Sequence, residues 1–298
     1  MLKRQGNLNT VIWAIDPFEG KLKPHPFEVR SLQSWVNENG VQIQPVYMVD
    51  QNHLTVEKIN SLEKAVENYL QDLGFKGNLK PEILMTADSS TEALTKRLTF
   101  YSKEIGANMI IVSSRGRKGF DRFILGSFAE SLMLHSECPL YFLTHQNGTP
   151  TEQRMNKVLF STDFSKHSEQ AFDTLLEHVK FLNSEVIIYN AISLPSSSTI
   201  IPDDYCSMQE EEAKKLAEKF LEKTKPLGLK SKFVIEYVGA FPNIAPSIVD
   251  IAKRESVRFV GMASNSGRVG AIFFGSVARE VFRSNLFPVW ICGPKAMN

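Results

Sequence analysis

The 298-residue chain contains a copy of itself. "TVIWAID", ending at Asp16, returns 147 residues later as "KVLFSTD", ending at Asp163, and "GSFAESLMLHSECPLYFL" returns as "GSVAREVFRSNLFPVWIC". Gly126, Ser127, Ala129 and Pro139 map onto Gly275, Ser276, Ala278 and Pro288, each 149 residues on. Offsets that agree within two residues over half the chain identify a tandem duplication, so both halves must solve one folding problem with one architecture. The length suits two domains, each large enough to bury its own core. The polar, turn-rich stretch "THQNGTPTEQRMNK" puts the boundary between domains 1–148 and 149–298.

Within each half, short β-rich apolar runs alternate with helical patterns, the signature of an α/β domain with a parallel sheet. The first half offers strands "TVIWAID", "VQIQPVYMV", "PEILMTA", "NMIIVSS" and "PLYFLT"; the second offers "KVLFSTD", "EVIIYNAI", "KFVIEYV", "VRFVGMA" and "FPVWIC". Helices are expected near 166–182, 203–225, 244–255 and 275–284, with matching ones in the first half, so each half is five strands with four helices. In "EEEAKKLAEKFLEKTK", Ala213, Leu216, Ala217, Phe220 and Leu221 recur at helical spacing, and the charges around them read as a solvated face.

In an open parallel sheet, ligands collect at the carboxyl ends of the strands where the strand order reverses. Asp16 and Asp163 end the first strand of each half, and a carboxylate there can accept hydrogen bonds from an adenine amino group or from ribose hydroxyls. "DFSKHSEQAF" equally invites a capping role, because Asp163, Ser165 and Ser168 are all good N-cap residues. The second candidate is "SSRGRKGFDRFILGSFAE", Ser113 to Glu130. Ser113, Ser114 and Gly116 let backbone amides approach a ligand closely. Gly126-Ser127 opens a helix whose free amides and positive dipole end favour an anion. Arg115, Arg117, Lys118 and Arg122 add positive charge. The stretch matches neither the Walker pattern nor Gly-x-Gly-x-x-Gly.

The whole set resembles the universal stress protein family in a tandem two-domain form. The family signature is Gly-x-x-Gly, nine residues, then Gly-Ser/Thr, after an aspartate that ends the first strand. Here Ser113-x-x-Gly116, nine residues, then Gly126-Ser127 fits it with one substitution. "VLFSTDFSKHSEQAF" and "VGAFPNIAPSIVDIAKRESVRFVGMAS" resemble its first-strand and third-to-fourth-strand segments, and the resemblance covers nearly all of both halves. It implies two tandem Rossmann-like domains, each a five-stranded parallel sheet of order 3-2-1-4-5 flanked by helices. It further implies a non-catalytic stress-response protein that binds ATP or a related adenine nucleotide. Carried over, Asp16 meets the base, Ser113, Arg115, Gly116, Gly126 and Ser127 line the phosphates, and Met48 and Ala191 flank the adenine of their halves. Asp163, Gly275 and Ser276 are the second-half counterparts.

The halves depart from this pattern differently. At the same spacing the second half has Met262-x-x-Asn265, so both loop glycines are lost, and Arg268 is its chief basic residue. Shortening the loop instead pairs "GRVG" with "GRKG"; on either alignment phosphate binding falls to the first half. The first half replaces the compact Asp-x-Ser start with "DPFEGKLKPHPFE", stiffened by Pro17, Pro24 and Pro26, which can cover the adenine pocket or obstruct it. The rival reading is therefore a nucleotide-free interaction module. Against a third reading, an enzyme of the wider adenine-nucleotide α/β group such as a nucleotidyl transferase or an ATP pyrophosphatase, the chain has no His-x-Gly-His or Ser-Gly-Gly-x-Asp-Ser sequence.

Composition closes off other classes. A formal net charge of +1 leaves "GRKGFDRF" as isolated support for nucleic-acid binding, so none is expected. Three distant cysteines make neither a disulfide framework nor a zinc site and favour a reducing, cytoplasmic compartment. No apolar run reaches the ~18 residues of a spanning helix. The six histidines lack metal-ligand spacing and are expected at surface or helix-end positions, and Cys138 and Cys292 as buried packing residues. Family dimers often pair their last strands; here "PLYFLT" and "PVWICG" are expected to pair within the chain as a pseudo-dimer, and a homodimer of two chains remains open, as do the protein partners.

Overall fold

The structure, a computed structural model, describes residues 10–18, 23–24, 26–51, 55–76, 79–113, 127–144, 156–180, 182, 184–194, 204–239, 244–264 and 276–297. The first half runs β1 (Thr10–Ala14), α1 (Pro26–Asn39), β2 (Gln42–Asp50), α2 (Val56–Asp72), β3 (Glu82–Thr86), α3 (Thr91–Glu104), β4 (Met109–Ser113), α4 (Ser127–His135) and β5 (Leu140–Leu143). The second repeats it as β6 (Lys157–Ser161), α5 (Lys166–Val179), β7 (Glu185–Ser193), α6 (Tyr205–Thr224), β8 (Ser231–Val238), α7 (Ile244–Arg254), β9 (Phe259–Ala263), α8 (Ser276–Ser284) and β10 (Val289–Cys292). Each half has the order expected from the resemblance, and the two join as one sheet, β3-β2-β1-β4-β5-β10-β9-β6-β7-β8.

The uninterrupted apolar runs of the central strands follow from helices covering both faces. Because successive strand residues point to opposite faces, Val11 and Trp13 fall in one core layer with Trp35, Val66, Val158, Phe160 and Phe172. Ile12 falls in the other with Leu98, Leu132, Leu159, Ile248 and Val281. Thus α1, α2, α5 and α6 roof one face, while α3, α4, α7 and α8 roof the other. The duplication extends to the turns: α3 ends at Gly106 (φ 62°) and α7 at Ser256 (φ 55°), each amide bonded to the carbonyl three residues back. Glycine meets that left-handed backbone without cost, and serine at about 1 kcal/mol.

The halves meet through β5 and β10, which pair antiparallel with Trp290 directly opposite Tyr141. The intrachain pseudo-dimer expected from the sequence is therefore present, and the edges that β5 and β10 would expose alone are covered. Tyr141 carries Trp35 and Phe259 edge-on at ring distances of 5.5 Å, while Trp290 carries His178 at 5.9 Å. On the opposite face Phe142 meets Phe282 at 5.3 Å, and Arg279 of α8 reaches Glu130 of α4 at 3.4 Å. Gly293 is required here, since a Cβ on it would lie 2.5 Å from the Met133 carbonyl oxygen.

His178 corrects the histidine expectation in part. It does lie in the last turn of α5, but it is buried, and its Nδ1 accepts the indole N–H of Trp290 at 3.1 Å. Burial pushes its pKa down to about 4. Cys138 and Cys292 are buried as expected, and burial raises the Cys292 thiol to about 12.

Candidate functional site

β1, β2 and β4 run parallel, as do β6, β7 and β9, so the carboxyl ends of each set share one edge of the sheet. At that edge in the second half the chain leaves β6 through Thr162 and Asp163. Asp163 Oδ1 accepts the Ser165 amide at 3.0 Å, and Ser165 Oγ, the N-cap of α5, accepts the Ser168 amide at 3.2 Å. Asp163 therefore holds the turn and Ser165 caps the helix, one residue type doing each of the jobs the sequence allowed to either. Phe164 between them has a left-handed backbone (φ 56°) and turns its ring onto Phe220 and Phe233.

Around this turn lies a pocket of about 270 Å³. Asp163, Ala191 and Ser276, all singled out from the sequence, line it together with Met262. Met262 is 4% exposed and packs in the second core layer, so its long side chain fills the wall of the pocket as well as the core. Residues that sequence reasoning left out of the site complete it. Thr162 Oγ1 accepts the Phe164 amide at 2.9 Å and the Ser168 hydroxyl at 2.8 Å, and Asn190 Nδ2 donates to the Thr162 carbonyl at 2.8 Å. Ile244, the first residue of α7, and Val277 and Ala278 of α8 form the apolar side. The signal for Asn190 was its place beside Ala191 at the end of an apolar strand, where a buried-sheet residue would be apolar.

In the first half the same turn recurs: Asp16 Oδ1 accepts the Phe18 amide at 3.1 Å. Ile15 donates its amide to Val46 as Thr162 does to Tyr189, which makes Tyr47 the counterpart of Asn190 and Met48 that of Ala191. Phe18, 59% exposed, lies edge-on to Tyr47 at 5.7 Å. Met48 packs against the second core layer, and Ser113, half-buried, ends β4. Ser127 opens α4 and its Oγ is 3.2 Å from Thr91 Oγ1 in the first turn of α3. The structure therefore brings Asp16, Met48, Ser113 and Ser127 to one edge. Arg115, Gly116, Gly126 and Gly275 lie outside the described residues, as do Asn265 and Arg268.

A shallower hollow of about 470 Å³ follows β3, lined by Thr86, Asp88, Ser90, Lys96 and Arg97 among others. Its charges serve the start of α3: hydrogen bonds from Ser90 hold the Asp88 carboxyl below its ordinary pKa, and Lys96 pairs with Glu92 at 2.5 Å. Among the described residues no group of three or more His, Cys, Asp or Glu side chains could hold a metal ion.

The model of the universal stress protein family matches residues 80–143 and 155–293. A universal stress protein from Archaeoglobus fulgidus has the same fold over nearly its whole length. It is 19% identical, with 96% of this chain and 98% of that one covered and a TM-score of 0.60. A protein of unknown function from Pseudomonas aeruginosa is 13% identical, with 98% and 95% covered and a TM-score of 0.63. No curated protein matches the chain.

Proposed function

Because the chain belongs to the universal stress protein family, we propose that it is a non-catalytic stress-response protein that binds ATP or a related adenine nucleotide, with the first half as the principal site. The observation that carries this reading is the convergence of Asp16, Met48, Ser113 and Ser127 at one sheet edge. Asp16 offers a carboxylate to the adenine amino group, and the amino end of α4 with the Ser127 hydroxyl offers donors to phosphate. Arg115, Gly116 and Gly126 complete the phosphate side in the sequence. No residue is assigned a catalytic role in this reading. The cytoplasm is the proposed compartment, and no described helix is long and apolar enough to cross a membrane. Binding is proposed to act on protein partners or on a second copy of the chain.

Calorimetric titration of nucleotide-free protein with ATP tests the reading. Saturable binding is expected, weakened roughly 100-fold or more by Gly126→Glu, which sets a carboxylate against the phosphates. A parent protein without saturable ATP binding overturns it. One observation favours the nucleotide-free interaction module instead: Phe18 and Tyr47 pack together beside Asp16. Mass spectrometry of gently purified protein separates the two, because a stoichiometric co-purifying adenine nucleotide contradicts the module.

A further inference from the structure

We propose that two copies of the chain join through β8, the outer edge of the second half, as an antiparallel pair centred on Val234. The β5–β10 joint uses up the last strands, so the ten-stranded sheet ends at β3 and β8. An open edge offers unpaired N–H and C=O groups to another strand, and proteins blunt such edges with short strands or proline. β3 is blunted in this way, with five residues that follow Pro81. β8 is not: it has eight residues and neither proline nor glycine. Its even-numbered residues face β7, since Val186 and Leu194 donate their amides to the Lys230 and Val238 carbonyls at 2.8 and 2.9 Å. Backbone groups alternate in direction along a strand, so the N–H and C=O of Ser231, Phe233, Ile235 and Tyr237 point off the sheet. No strand among the described residues pairs with them there.

A second copy fits that row. Two β8 strands related by a two-fold axis at Val234 set Ser231 of each chain opposite Tyr237 of the other, and Phe233 opposite Ile235. All four outward residues then form hydrogen-bonded pairs, each exchanging two N–H···O bonds. Phe233 with Ile235 is an aromatic and β-branched pair, and the small Ser231 leaves room for Tyr237, which is 43% exposed. On the other face Lys232 of each chain falls opposite Glu236 of the other, in the non-hydrogen-bonded positions where side chains approach most closely. Both side chains are partly exposed, at 40% and 28%, although each already holds a partner in its own chain, Glu255 at 2.7 Å and Arg254 at 3.1 Å. Each new contact across the axis therefore joins opposite charges. Sliding the pair by two residues either way sets Lys232 opposite Val234 or Val238 and leaves one outward residue of each strand without a partner. The two-fold axis closes the contact, which makes a dimer and not a filament. The pairing requires no nucleotide.

Light scattering on the full chain without nucleotide should give twice the chain mass at high concentration and the chain mass on dilution. Lys232→Glu and Glu236→Lys each set like charges across the axis and should weaken association roughly tenfold or more. Mixed in equal amounts, the two variants bring opposite charges together again and should associate with each other about as tightly as the parent does with itself. A general loss of stability in either variant is not repaired by mixing. Hydrogen exchange on the unaltered chain gives a second measure that needs no variant. Dilution from dimer to monomer should speed exchange at the amides of Ser231, Phe233, Ile235 and Tyr237, while those of Lys232, Val234 and Glu236, bonded to β7, stay slow. A parent that stays monomeric, a mixture that stays monomeric while both variants are folded, or equal changes at odd and even amides each overturns the proposal.

Discussion

The two candidate sites share a turn and little else. Asp16 and Asp163 each accept the amide two residues on, at 3.1 and 3.0 Å, so the duplication preserved the device that sets a carboxylate at the end of the first strand. Around it, Ile15 stands against Thr162, Phe18 against Ser165, Tyr47 against Asn190, Met48 against Ala191 and Ser113 against Met262. The first half carries large apolar and aromatic groups at the ends of β1 and β2 and a serine at the end of β4; the second half carries small or polar groups at the ends of β6 and β7 and a methionine at the end of β9. Backbone geometry was retained under the demands of the sheet, while the side chains at the strand ends diverged.

Met262 offers the largest way to break this comparison. It is buried in the second core layer, whereas Ser113 is half-exposed at the end of β4. Giving the second half the residue of the first, Met262→Ser, removes a packed side chain and buries a hydroxyl, at an expected cost of about 4 kcal/mol in urea unfolding. The reciprocal Ser113→Met should change stability by about 1 kcal/mol or less. Equal effects at the two positions would mean that Met262 is not a packing residue, and its presence in the pocket would need another account.

Repetition made the fold legible. The ten strands follow from two copies of one pattern, because strand and helix periods are set by backbone geometry, whereas their order and the β5–β10 joint were legible only as what the family resemblance implies. The aspartates were legible too, but not the division of labour by which Asp163 holds the turn and Ser165 caps α5. That depends on one left-handed residue, Phe164, at a position where nothing local favours it. Asn190, Thr162 and Ile244 were hidden for another reason. They reach the pocket from three elements distant in sequence, and only the register of β6 with β7 and β9 brings them together.

The next contrast lies in the joint. Trp35 packs on Tyr141 in the first half, and His178 packs on Trp290 in the second, so one side of a nearly symmetric aromatic cluster can titrate. Burial lowers the folded-state pKa of His178 to about 4, with the positive charge of Lys180 a smaller cause. Above the ordinary value of about 6.5, folded and unfolded forms are both neutral and His178 gives no pH dependence. As pH falls from there towards 4, the unfolded chain binds a proton that the folded chain refuses. Stability then drops by about 3 kcal/mol over that window. Urea unfolding at pH 7 and pH 4 should show this loss in the parent and a smaller one in His178→Gln, whose amide oxygen can still accept the Trp290 N–H. An unchanged pH dependence in the variant would place the titration elsewhere.

The smallest expected effect isolates Thr91. A serine hydroxyl has one proton, so if Ser127 donates it to a phosphate oxygen, the contact at 3.2 Å must run from Thr91 to Ser127. Thr91 then acts as a positioning residue, fixing the Ser127 proton toward the ligand. Thr91→Val keeps the shape and removes the donor, and should weaken ATP binding roughly fivefold, or about 1 kcal/mol. Adenosine, which does not reach Ser127 in this reading, should bind the first half unchanged. In a Ser127→Ala background the Thr91 substitution should have no further effect, because the proton it orients is gone. If Thr91→Val weakens adenosine and ATP alike, the threonine supports the start of α3 and has no special relation to phosphate. The contrast between Thr91 at the start of α3 and Ile244 at the start of α7 would then cease to distinguish the two halves.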